Sequence, residues 1–261
     1  MSQRVNPKPK NVNNILDEKL EFKPGIDYRA LNLDKEEEKS LDTAVENLLA
    51  GPFKDDILVS IDTDNGIIRP VMYPIYKQLN KRFPEIAPNG ISVALNTEDG
   101  RPVAIKRNMN NGDNKGAVGP VAGLIKTSNE ALLGGLTLRG LIDNQVKEEL
   151  GHEIGLAAEY SIDWDNILEI TSNHPTNQME FYVPVKTIRT FDELFQNQER
   201  IENGKAFQLA EKIVDISDKE IVEQIEKTDC ANQHAFTLLM SLGWGAIRAA
   251  RFIEELPIPQ K

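Results

Sequence analysis

The run Glu148-Glu149-Leu150-Gly151-His152-Glu153-Ile154-Gly155-Leu156 holds the residue types best able to do chemistry in this chain. Positions 149, 152 and 153 are spaced i, i+3 and i+4, so a helix over them puts their side chains on one face. Carboxylates crowded on one face repel each other. They fit either a solvated acidic surface or a bound cation. Mg²⁺ and Mn²⁺ favour carboxylate oxygens and water. His152 can act as a base, as a nitrogen ligand or simply as a surface residue.

The flanking sequence predicts the elements that position this helix. A helix is expected over about Leu141–Ile154, following a Gly-rich connection from Ala131. Upstream, Ile91–Leu95 and Pro102–Arg107 flank the Glu98-Asp99-Gly100 turn and read as a hairpin. Residues 108–116 are rich in Asn, Gly and Asp and read as a loop. Gly119–Ile125 reads as a short glycine-bounded strand. Downstream, Ile167–Thr171 and Met179–Val185 read as strands joined by a polar loop holding His174 and Pro175.

An earlier hairpin is expected between Ile57–Ile61 and Ile67–Met72, with Asn65-Gly66 at its tip. Helices are expected over 34–50, 76–83, 191–200, 218–227 and, as one long final helix, about 231–256. Residues 1–25 read as a partly ordered arm. Strands and helices in this mixture predict an α+β chain with a mixed sheet between helices, divided into an N-terminal extension (1–85) and a main domain (86–261).

The bulk numbers exclude several classes. The chain has 261 residues, 40% of them hydrophobic, enough to bury a core. Its net charge of −11 argues against nucleic acid or an anionic membrane as partner, while leaving room for a small anionic substrate. A single cysteine, Cys230, allows no internal disulfide, and the polar N-terminus has no apolar signal core. A cytoplasmic setting is the expectation.

The stretch 148–156 resembles the second half of the Nudix box, with Glu149 at the first glutamate, Glu153 at the last and Gly155-Leu156 at the closing pair. Glu148 stands where that family has arginine, and His152 where it has the middle glutamate. A competing register over 144–152 keeps Glu148-Glu149 as the adjacent pair. The hairpin 91–107, the Gly119–Gly123 strand and the strands after the helix also resemble the Nudix context. Extra residues over about 126–140 and the N-terminal segment are similar to the UDP-sugar diphosphatase branch.

The resemblance implies a Nudix-type α/β/α sandwich and hydrolysis of a nucleoside-diphosphate-linked small molecule, with Mg²⁺ or Mn²⁺ as cofactor. It implies Glu149, His152 and Glu153 as catalytic residues and Glu149, Glu153 and Glu180 as metal ligands. Lys106, Arg107, Gly123 and His174 are the implied substrate contacts, and a homodimer the implied assembly. The alternative is a weak or inactive Nudix-fold nucleotide-binding or regulatory protein.

Overall fold

The computed structural model describes residues 7–25, 27–50, 57–79, 87–107, 118–128, 131, 134–171, 179–202, 210–215, 219, 222–223 and 232–255. The side chains at 107, 197–202, 210–215 and 232–233 are outside this description. So are His174, most of the helix expected over 218–227 and the loop expected over 108–116.

Thirteen strands form two sheets among the described residues. In chain order they are β1 (Lys8–Asn11), β2 (Glu21–Phe22), β3 (Ile57–Asp62), β4 (Ile67–Val71), β5 (Gly90–Asn96), β6 (Pro102–Arg107), β7 (Val118–Gly119), β8 (Val121–Leu124), β9 (Lys126–Thr127), β10 (Tyr160–Ile162), β11 (Leu168–Thr171), β12 (Glu180–Thr187) and β13 (Ala210–Asp215). The α-helices are α1 (Lys35–Ala50), α2 (Tyr73–Leu79), α3 (Leu138–Ile154), α4 (Phe191–Glu202), α5 (Asn232–Ser241) and α6 (Ala246–Glu255).

The larger sheet runs β1-β11-β12-β5-β6-β13, with β10, β7 and β8 paired beside β12, β6 and β5. It is mixed, since β12 and β5 are parallel and their other pairings antiparallel. The fold class is therefore α+β with mixed sheets, as the sequence predicts.

β5 is buried on both faces, and strand alternation assigns its residues to two cores. Ile91, Val93 and Leu95 pack with Leu141, Ile142, Val146 and Leu150 of α3. Ala94 faces the other way, with Ala104, Ile170 and Tyr182, against Phe236 and Leu239 of α5 and Ile253 of α6. This parity decides which face each site residue occupies.

The N-terminal arm is more ordered than its composition suggests. β1 pairs antiparallel with β11 at the sheet edge, and Val12, Ile15, Leu16 and Leu20 enter the core that α3 faces. The arm also grips the start of α3. Leu16 O accepts from Arg139 N at 2.9 Å and Leu136 O from Leu20 N at 2.8 Å. The Arg139 guanidinium binds both oxygens of Asp17, which holds that carboxyl below its usual range. Val59, Ile61 and Ile68 join the same core, so residues before and after position 85 share it.

The smaller sheet, β2-β4-β3-β9, includes the expected β3–β4 hairpin. Asp62 fixes its turn by accepting from Asp64 N and Asn65 N, both at 3.1 Å, and from the Asn65 amide. Asn89 joins the two sheets: it is buried, and its side-chain oxygen accepts from Ile61 N at 2.5 Å.

α3 starts earlier than expected because Thr137 caps it, accepting from Gly140 N at 3.1 Å. Gly155, at φ +70°, ends it. The long final helix is two helices. Gly243 takes the left-handed conformation, with Gly243 N bonding Met240 O at 3.0 Å and Trp244 N bonding Leu239 O at 3.1 Å. These two bonds form a Schellman cap, which stops α5 before α6 begins.

Tyr182 packs edge-on to Phe236, with ring centres 6.3 Å apart, and burial pushes its hydroxyl up to about 12 from an ordinary 10. A raised phenol pKa means the folded state favours the neutral form. That contribution is complete below pH 10 and is lost as pH climbs towards 12. Urea midpoints measured between pH 9 and 12 should show wild type losing on the order of 2 kcal/mol through this group. Tyr182→Phe should lack that part of the loss. An identical alkaline slope in the variant would remove Tyr182 as its source.

Candidate functional site

Glu149 and Glu153 lie one turn apart on α3 and both turn inward, at 7% and 1% exposed. Their seat is β8. Gly123 makes room for Glu149: a Cβ built there would stand 1.8 Å from Glu149 Oε1 and 2.3 Å from its Cδ. Glu153 Oε2 accepts from Ala122 N at 3.3 Å. Gln145, one turn earlier, donates from Nε2 to Glu149 Oε1 at 2.6 Å. Two carboxylates, an amide and a strand backbone thus converge where α3 crosses β8.

Glu148, half-buried, and His152, exposed, lie off that seat. Glu148 Oε1 is 3.0 Å from Lys126 Nζ, and His152 Nδ1 is 3.8 Å from Glu148 Oε1. The His152 side chain is 72% exposed, so the structure does not bring it to Glu149 and Glu153.

Glu180 is also elsewhere. It starts β12 opposite Gly90, accepts from Ser92 Oγ and lies 3.4 Å from His234 Nε2 of α5. Ser92 shares its strand parity with Ala94, so this cluster occupies the α5–α6 face, across the sheet from α3. Lys106 follows Ala104 with the same parity and is exposed on that face as well. Of the residues implied by sequence, the structure brings Glu149, Glu153 and Gly123 together and separates His152, Glu180 and Lys106 from them. Arg107's side chain and His174 lie outside the described residues.

Sequence reasoning passed over Gln145 and the Ala122 N–H. Gln145 was legible in principle, since i−4 from Glu149 is the same helix face. The Ala122 contact has no sequence signal, because any residue supplies a backbone N–H.

Among the described residues, no group of three or more His, Cys, Asp or Glu is placed to hold a metal ion. The Glu149–Glu153 pair supplies oxygen donors only. That suits a magnesium-like ion, which commonly takes one or two carboxylates and completes its shell with water and substrate phosphate. A hollow of about 830 Å³ runs along α6 past Trp244, Arg248, Arg251 and Phe252. It lies across the sheet from the carboxylates and is no part of their site. No described helix is long and apolar enough to cross a membrane.

Compared with known proteins, the chain matches no family model and no curated protein.

Proposed function

We propose that the chain is a Nudix-type pyrophosphohydrolase that uses Mg²⁺ or Mn²⁺ to cleave a nucleoside-diphosphate-linked small molecule, a nucleotide sugar or a close analogue. The observation that carries this reading is the joint burial of Glu149 and Glu153 against Gly123 and Ala122. Withdrawing two carboxylates from water in one place is costly unless cations or donors meet them.

The order of elements supports the reading. The hairpin β5–β6, strand β8, helix α3 and strands β11–β12 come in the order the resemblance leads one to expect, with helices on both sheet faces. The register ending on Gly155-Leu156 is supported too. Its two glutamates share the inward face, and its glycine adopts the left-handed cap.

In this reading Glu149 and Glu153 would hold the metal, which when bound would supply charge neutralisation at the phosphate oxygens and a more nucleophilic water. Water attacks one phosphorus, the bridging P–O bond breaks, and the water's protons end on product phosphate and solvent. Gly123 leaves the space in which Glu149 sits, and Ala122 N–H orients Glu153.

A second reading is a nucleotide-binding module without turnover. Glu148 and His152 favour it, because the arginine and middle glutamate of the box are replaced by residues that lie off the seat of the other two carboxylates.

The test is a panel of UDP-glucose, ADP-ribose and similar compounds, with and without divalent metal. Metal-dependent release of a nucleoside monophosphate is expected, and EDTA should stop it. Thermal stabilisation by these compounds without any product would favour the binding module. Neither product nor stabilisation from any compound would overturn both readings.

A further inference from the structure

Gln145 is 1% exposed, on the buried side of α3 that carries Leu141, Ile142, Val146 and Leu150 together with Glu149 and Glu153. A leucine or methionine would fill this volume without burying a polar amide, whose burial is costly unless both ends are bonded. Here both ends are. Oε1 accepts from Lys126 N at 3.0 Å, and Nε2 donates to Glu149 Oε1 at 2.6 Å. The partners leave the amide one orientation, because a backbone N–H needs the oxygen and a carboxylate needs the NH₂ group. Lys126 begins β9, which pairs with β3 of the smaller sheet at Leu58. The amide therefore ties the Glu149 side chain to a strand backbone anchored outside its own helix.

We propose that Gln145 is a positioning residue that fixes the plane of the Glu149 carboxylate over Gly123 for cation binding. This rests on reading Glu149 and Glu153 as metal ligands. Gly123 and Gln145 act on the same carboxylate from two sides. The glycine leaves room for it, and the amide chooses its rotation within that room. Groups that orient a metal ligand commonly change metal affinity by tenfold or more when removed.

The test is titration calorimetry of Mn²⁺ into the metal-free full-length protein and into Gln145→Met, well below both melting temperatures. The expected result is a Kd weakened by about tenfold or more in the variant. A residue that only fills space would lower the melting temperature and leave the Kd alone. A folded Gln145→Met within about twofold of wild type overturns the inference. Wild type that binds no Mn²⁺ overturns the ligand reading itself, and the inference with it; the wild-type arm alone distinguishes that failure. Should Gln145→Met not fold, Gln145→Asn serves by the same criteria, because its amide is one methylene too short to reach both partners.

Discussion

Gly123→Ala is expected to keep the fold while losing about 100-fold or more in turnover. The added Cβ would overlap the end of the Glu149 side chain, at 1.8 Å from Oε1 and 2.3 Å from Cδ. Those atoms end a side chain with rotatable bonds, so the chain can yield by swinging the carboxylate aside. The stability cost is then about 1–3 kcal/mol, the range for overfilling a packed site. Misplacing a working group by about 1 Å can cost around 100-fold in rate. Two readouts separate these effects: a melting curve and kcat/KM on the best substrate of the panel. A folded Gly123→Ala with undiminished kcat/KM would show that the position of Glu149 does not matter to the chemistry.

Deleting residues 1–20 should abolish cooperative folding. Val12, Ile15, Leu16 and Leu20 are buried in the core that α3 faces. Each fully buried aliphatic side chain of this kind is worth about 1.5–3 kcal/mol. Together they approach the total stability of an ordinary domain, about 5–15 kcal/mol. The deletion also uncovers the edge of β11 and removes Asp17 from Arg139 at the start of α3. Leu16→Ala alone should cost about 2–5 kcal/mol. Circular dichroism melts decide the matter. A truncated chain that melts cooperatively within a few degrees of full length would mean that the arm is dispensable.

The arm also shows where sequence reading stops. Its composition is polar and proline-containing, and β1 is a short edge strand, exposed at all but one position. Such a strand carries no alternation to detect. β10 and β13 escaped notice for related reasons: β10 spans Tyr160–Ile162 only, and β13 is Ala210–Asp215, with acidic and basic residues between its apolar ones. By contrast α1 and the β3–β4 and β5–β6 hairpins were legible, because an apolar stripe and Asn-Gly or Asp-Gly turns mark them locally. The final helix was misread as continuous because its apolar pattern runs through Gly243, and only the left-handed φ reveals the break.

The candidate site divides along the same line. Helical spacing predicts Glu149, His152 and Glu153 on one face; the structure turns Glu149 and Glu153 inward together and leaves His152 exposed. The resemblance groups Glu180 and Lys106 with them, and the structure puts both on the other face of the sheet. Their sheet face depends on strand parity relative to Ala94 and Ala104, which becomes readable once it is known which residues α3 covers. The spacing of Gln145 to Glu149 is legible in the sequence, but its second partner, Lys126 N on the neighbouring strand, is not.

The most direct measurement is nucleoside monophosphate release by wild type and Glu153→Gln, each with Mg²⁺ or Mn²⁺ and again with EDTA. Wild type should turn over with metal and stop with EDTA, while Glu153→Gln, still folded, should lose the metal-dependent release. Equal release by the two proteins, or release indifferent to EDTA, would contradict the assignment of these buried carboxylates to a metal-dependent hydrolysis.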